Sequence, residues 1–423
     1  MWIALLQILL ILLVIAGWLV YSFFLAEDVD AARDYFLGYA VSDFGQVLYF
    51  TLSDNPYVTE FYTSYTPLCF LICLPFALVC KGNPLFYQLK APLSEEAYNA
   101  AIVQTWEFWV AYCLYVLVFV AGLTLLTYKL LSPKIKDRFW LAMAVIFSNL
   151  GVFAISRGSN VQHILLLILV YLWLYRSKKA WQREIALVCL AAAGVCKYYP
   201  FIFGALLLRE KDFWAALRVV GYSALLFFLP FFLFEGGVSN IPRYFWNLGW
   251  FVGGEERIAH GGNLSAYSLM SKILVGLGCE QGSPGVKTAC LFTSLSVLAA
   301  TAALTILSGS RFTQAMMCAA AMTLIPPVSY YYAVIFLIVP VYALAAEWER
   351  IKGWRRWFYV AFFAFCSFLP TLVMTNLLLQ TLCYLASLVI EWVFFFRERR
   401  GKGTAEESLP EIEKGRAEEQ SRQ

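Results

Sequence analysis

Twelve apolar runs recur along this chain, at about 2–25, 61–80, 101–128, 139–155, 161–175, 184–208, 213–234, 288–307, 312–326, 329–346, 355–371 and 374–396. Crossing the hydrocarbon layer of a bilayer takes about 20 largely apolar residues in a helix, and most of these runs approach that length. Backbone amides in lipid must be satisfied inside a helix or a closed barrel. No alternating ten-residue pattern suggests a barrel, so the fold class expected is all-α: a polytopic membrane protein of about twelve transmembrane helices. Hydrophobic residues make up 61% of the sequence and charged residues 14%, where a soluble domain carries about 25% charged residues. That balance excludes a soluble enzyme, and nothing in it points to a nucleic-acid partner. Membrane lipids are the expected surroundings.

Residues 2–25 are long for a cleaved signal and lack a basic start and a small-residue cleavage site, so they read as a first permanent helix. Two connections stand out, 26–60 and 235–287, neither long enough for a separate domain. The first holds seven acidic residues, Glu27, Asp28, Asp30, Asp34, Asp43, Asp54 and Glu60, against Arg33 alone. By contrast, the short connections at 176–183 and 350–356 are basic. The positive-inside rule therefore places 26–60 away from the cytoplasm and the tail, which begins Arg397-Glu398-Arg399-Arg400, within it. Residues 1–396 then form one membrane domain, with 26–60 and 235–287 as its two large outer loops. Residues 397–423, mixed in charge and poor in apolar groups, form a disordered cytoplasmic tail. The middle of the chain leaves a parity question. If every run crosses once, 176–183 lies outside; if it lies inside, one run is re-entrant or 184–208 breaks at Lys197–Pro200. The setting expected is a bacterial cytoplasmic membrane with the active site facing away from the cytoplasm.

The eleven cysteines lie mostly inside apolar runs, as Cys69, Cys73, Cys189 and Cys318 do, without zinc or disulfide-scaffold spacing. They read as small core residues, and Cys279 with Cys290 is a weak disulfide candidate. No metal and no cofactor is implied.

Ionisable groups inside spans are costly, so each is a functional candidate. Lys197 stands in VCKYYP, where Pro200 interrupts the helical ladder and frees backbone groups beside the ammonium. Such a place suits a phosphate, and equally a lysine snorkelling to a membrane face. SRGSNVQH places Arg157, Asn160 and Gln162 between two apolar runs, either as an anion site at a helix start or as an ordinary polar turn. His163 reads as a packing group. Asp43 could take a proton from an alcohol, but composition does not separate it from Asp34 or Asp54. The tyrosines near helix ends, among them Tyr62, Tyr65, Tyr198, Tyr199 and Tyr330–332, suit interfacial anchoring, and some of them suit stacking on a sugar.

Taken in order, several segments resemble glycosyltransferase family 87, the polyprenyl-phosphate-mannose-dependent transferases with a C-type multi-helix fold. SDFGQVLYFTLSDNPY resembles the family's Asp-Phe opening and Asn/Asp-Pro-Tyr element. YTPLCFLICLP resembles its Tyr-Pro-Pro-Leu helix, with Thr66 in place of the first proline. RGSNVQHILLLILV resembles the Gly-Gln-x-Asn helix start, altered at Ser159-Asn160. VCKYYPFIFGALLLREKDFW matches better and carries Lys197 and Tyr199. NLSAYSLMSKIL brings in Asn263, Ser265 and Lys272, with lysine where arginine is usual. PPVSYYYAVIFLIVP resembles a late Ser-Pro-x-Ser-aromatic element, with Tyr331 and Tyr332 where relatives often place histidine.

The resemblance covers most of residues 1–346. It implies Asp43 as general base and Lys197, with Arg157 and Lys272, as counter-charges to a phosphate. Asn160, Gln162, Tyr199, Asn263, Ser265, Tyr331 and Tyr332 are implied as further substrate contacts. The implied partners are a polyprenyl-phosphate-linked sugar donor and a glycolipid or glycan acceptor, with inverting, metal-independent transfer of a hexose, mannose in the first instance. The competing readings are a transporter or flippase of a lipid-linked sugar, and a polysaccharide polymerase or ligase.

Overall fold

A computed structural model describes residues 42–59, 63–86, 95–132, 135, 137–259, 262–368 and 374–407. The expected first helix at 2–25, residues 26–41 of the first connection, His260 and residues 408–423 lie outside the described residues. The described chain is helical, with no β-strand and one isolated bridge between Asn263 and Tyr330.

Its helices are α1 (Ser42–Leu52), α2 (Pro67–Cys80), α3 (Glu95–Ile102), α4 (Trp106–Leu130), α5 (Arg138–Ile146), α6 (Asn149–Arg157), α7 (Val161–Leu174), α8 (Ala180–Cys196) and α9 (Ala205–Arg209). After them come α10 (Phe213–Phe228), α11 (Ile241–Gly253), α12 (Glu255–Ala259), α13 (Ala266–Gly276), α14 (Pro284–Leu307), α15 (Arg311–Leu324), α16 (Ile338–Ala346), α17 (Gly353–Phe368) and α18 (Met374–Glu407). Among the described residues, four segments are long and apolar enough to cross a membrane: Trp106–Leu130, Phe213–Leu233, Pro284–Leu307 and Leu378–Arg400. The bent pair α5 and α6, 50° apart, makes a fifth if counted as one span. The other apolar runs among the described residues fold as shorter or interrupted helices, which is how a chain builds a cavity at membrane depth while keeping its backbone bonded.

Two places depart from a reading by composition. Asp43 stands in the first turn of a helix, because FGQVLYF supplies an apolar face within the acidic connection. At the other end, α18 runs to Glu407, past residue 397 where the sequence places an unstructured tail. The added stretch, 397–407, holds three Arg and three Glu, which lose little on entering a helix, against two Gly that favour it least.

The run 184–208 breaks. Helix α8 ends at Cys196, a 3-10 turn spans Tyr199–Gly204, and α9 brings the chain back toward the start of α8. Arg176 before α8 pairs with Glu210 after α9, and Arg183 pairs with Asp212. Gly194 makes the return possible, since a Cβ there would stand 2.3 Å from the Phe201 ring. The connections 176–183, 209–212, 308–311 and 347–350 therefore gather at one end of the bundle. There Arg209 donates to the Ser308 carbonyl (3.0 Å) and Ser310 to Glu347 (2.7 Å). We call this the basic end.

The largest core cluster surrounds α15, whose residues Phe312–Leu324 are all buried. A second, aromatic cluster lies beyond it, built on Phe44, Phe50, Tyr57, Phe70, Phe108, Tyr115 and Phe231. Buried Glu391 of α18 accepts from Arg355 (2.9 and 2.5 Å), Tyr359 (2.7 Å) and Thr313 (2.5 Å), tying α18 to α17 and α15. Large apolar side chains such as Leu117, Leu217 and Phe292 remain exposed along the long helices, the surface that lipid covers.

Candidate active site

The candidate site lies where α1, α2, α6 and the broken end of α8 converge. At the end of α8 the chain turns extended at Lys197 (φ −146°), which leaves helix-terminal carbonyls in need of donors. Helix α2 supplies them. Thr66 Oγ1 donates to the Val195 carbonyl (3.2 Å), and the Cys69 thiol to the Cys196 carbonyl (3.7 Å). Pro200, in the first positions of the following 3-10 turn, lacks the N–H that would continue α8. Lys197 Nζ sits 5.0 Å from the centre of the Tyr65 ring. A desolvated ammonium is attracted to such a ring face.

On the neighbouring side, Arg157 closes α6 and pairs with Asp43 at 2.8 Å. The pairing depends on Gly158, which ends α6 in the left-handed region (φ 62°) and lies against Phe44, the residue after Asp43. A Cβ at Gly158 would come within 2.5 Å of Phe44 Cβ. Arg157 also lies over the Tyr332 ring, 5.9 Å from its centre. Asp43 is an electrostatic neighbour of Tyr65, Arg157, Lys197 and Tyr332 alike in this patch.

A cavity of about 570 Å³ opens beside it, within the range usual for small-molecule sites. Its polar wall is Ser64, Thr66, Lys197, Tyr199, Ser329 and Tyr332. Its apolar wall comes from α10 and α11, with Val220, Phe227, Phe228, Phe245 and Phe251. Val220 and Phe228 are themselves exposed, so the cavity opens sideways toward lipid. Among the described residues, no group of three or more His, Cys, Asp or Glu could hold a metal ion.

The structure brings together Asp43, Arg157, Lys197, Tyr199 and Tyr332 from the sequence candidates. Others serve the walls. Asn263 donates to the Pro327 carbonyl (2.9 Å) and accepts from the backbone N–H groups of Ser265 and Ser329 (both 3.1 Å). Ser265 also donates to Pro327 (2.9 Å) and caps α13. Together they fix the turn that carries Ser329 into the cavity. Tyr331 points elsewhere, accepting from Asn149 (2.8 Å) and donating to the Cys366 carbonyl (3.3 Å). Gln162 is fully buried and donates to the Ala154 carbonyl (2.7 Å). Asn160 donates to the Cys69 sulfur (3.5 Å). Lys272 is exposed on α13 and lines neither this cavity nor its neighbours. His163 packs between Tyr115 and Phe76, at 4.3 and 6.0 Å between ring centres.

Sequence reading noted Thr66 only as a replacement for a proline and gave Tyr65 no specific role. The signal was in YTPL, where a hydroxyl replaces a proline opposite a broken helix.

No curated protein and no solved structure matches the chain. The model of one family, glycosyltransferase family 87, matches residues 62–329, a span that includes Arg157, Lys197, Asn263 and Lys272 and begins after Asp43. With well over half its length matched by that model, and a helical body with spans apolar enough for a membrane, the chain belongs to glycosyltransferase family 87.

Proposed function

We propose that this membrane glycosyltransferase moves a hexose, mannose in the first instance, from a polyprenyl phosphate to a hydroxyl of a glycolipid or glycan, with inversion. The observation that carries the reading is the position of Lys197, at a helix break in the polar wall of an apolar cavity open toward lipid. A polyprenyl chain fits the aromatic wall, and its phosphate fits the ammonium and the hydroxyls of Tyr199 and Ser329.

In the reaction, the acceptor oxygen attacks the anomeric carbon and the bond from that carbon to the phosphate oxygen breaks. The acceptor proton passes to Asp43, and polyprenyl phosphate leaves with the bonding electron pair. Phosphate is a good leaving group, so it needs charge neutralisation rather than a proton, and Lys197 supplies it. Asp43 offers one carboxylate oxygen to Arg157, and the other is left for the acceptor hydroxyl. Arg157 thus orients the base. Neither a metal nor another cofactor enters this scheme.

The basic end faces the cytoplasm by the positive-inside rule, so the cavity, at the far end of α8, opens toward the outer leaflet of a bacterial cytoplasmic membrane. Residues 1–396 form the membrane domain, with about twelve passes in a C-type arrangement.

The test is transfer of labelled mannose from polyprenyl-phosphate-mannose to membrane lipid extract by purified protein, beside Asp43→Asn. Loss of transfer by a folded variant supports the reading. Equal transfer by both proteins removes Asp43 as base, and solute flux into proteoliposomes without transfer replaces the enzyme by a transporter.

A further inference from the structure

A second cavity, about 320 Å³, lies at the basic end. Helix α8, the segment Tyr331–Ala346 and α7 each have one end at the candidate active site and the other here. Tyr332 lines the first cavity and Tyr342 the second. The two linings are distinct, and they come nearest in the turn after α8, where Phe201 faces the first cavity and Phe203 the second.

Three cations from three different elements stand at its mouth: Lys129 at the end of α4, Arg176 after α7 and Arg311 at the start of α15. All three are exposed, whereas Leu169 and Phe203 deeper in its wall are buried. Arg176 pairs with Glu210. Lys129 lies over the Trp173 ring at 5.6 Å. Among the described residues neither Lys129 nor Arg311 has a carboxylate partner within salt-bridge distance. The mouth therefore carries surplus positive charge over an apolar interior.

We propose that this cavity binds the phosphate-bearing headgroup of an anionic phospholipid from the leaflet at the basic end. Lys129 and Arg311 flank the phosphate, and the start of an acyl chain lies along Leu169 and Leu172. The volume accommodates a headgroup and the first methylenes, with the remaining chain in the bilayer. A water-soluble phosphate would match the cations but leave the apolar interior unfilled, which favours the lipid as source. The site is independent of the transfer reaction proposed above.

The test uses the detergent-solubilised full chain, stripped of lipid and titrated with phosphatidylglycerol, phosphatidylcholine or inorganic phosphate. Retained lipid is read by native mass spectrometry and the thermal midpoint by scanning fluorimetry. Phosphatidylglycerol should be retained and raise the midpoint. A double variant Lys129→Gln, Arg311→Gln should weaken its binding about tenfold or more, since each basic group near an anionic headgroup contributes measurably. Lys178→Gln, a charge removed from the same end but outside the cavity, should not. Ala343→Phe, which fills the cavity and keeps every charge, should weaken binding as well, so the outcome does not hang on the double variant folding. Equal retention of phosphatidylcholine, or unchanged binding by both cavity variants, would overturn the proposal. So would displacement of bound lipid by millimolar inorganic phosphate, which would make the ligand a free anion.

Discussion

Arg157 and Asp43, 114 positions apart in sequence, meet at 2.8 Å, and the arginine also rests over Tyr332 in the cavity wall. The carboxylate proposed as base is thus held by a guanidinium, not left to solvent. The pair belongs to two helix ends, the first turn of α1 and the last residue of α6, so helix packing sets its geometry.

If Arg157 orients Asp43, replacing it should impair turnover more than donor binding. Arg157→Met is expected to lower kcat by about 10²-fold or more, the scale lost when a catalytic group is mispositioned, while KM for the donor stays within a few-fold. Steady-state kinetics with varied donor check this. A large rise in KM at unchanged kcat would instead make Arg157 a phosphate ligand.

Removing the ammonium tests the other side of the reaction. Lys197→Met should cut kcat by about 10²- to 10³-fold, the range seen when one group stabilising developing charge is deleted. Lys197→Arg should recover part of the loss. A donor with a better leaving group should be less sensitive to the Met substitution, which a purely structural lysine would not produce.

The hydroxyl of Thr66 serves the broken end of α8. Thr66→Val keeps the shape and leaves the Val195 carbonyl without that donor, at a cost of about 1–3 kcal/mol for a buried acceptor. The thermal midpoint should fall and activity should fall with it, because the same carbonyls border Lys197. Thr66→Ser should behave as wild type.

Glu391 collects four hydrogen bonds in the interior. Glu391→Ala would strand Arg355 and cost about 3–5 kcal/mol, as removal of one partner from a buried pair does. Loss of monodisperse protein on size exclusion, with partial rescue by Arg355→Met, is the expected result.

The helical membrane character was legible from the sequence because the length and composition of apolar runs depend on the solvent the chain must meet. Breaks within those runs were harder to read. The stretch 184–208 looks like one long span; the basic connection 176–183 and Pro200 left a break at Lys197–Pro200 open as one option, and the ion pairs that hold the hairpin join residues far apart in sequence. The site was legible in part. Lys197 announced itself as a charge in an apolar setting. Asp43 did not stand out from its acidic neighbours on composition, and its distinction lies in a long-range contact with Arg157 that no local pattern encodes. Asn263 and Ser265 looked like ligands because polar groups in a loop look alike whether they face a substrate or a backbone carbonyl. Their bonds to Pro327 and Ser329 make them wall-builders.

The hairpin that carries Lys197 has both feet on the basic side of the molecule, fastened by Arg176 to Glu210 and Arg183 to Asp212. Helix α8 therefore works as a measuring rod: how deep the lysine reaches is set by a count of residues rather than by loops near the reaction. Inserting one residue in α8 would advance its tip by about 1.5 Å and swing it by about 100°. The ammonium would then leave the Tyr65 ring and the cavity mouth without any change to the residues that line them.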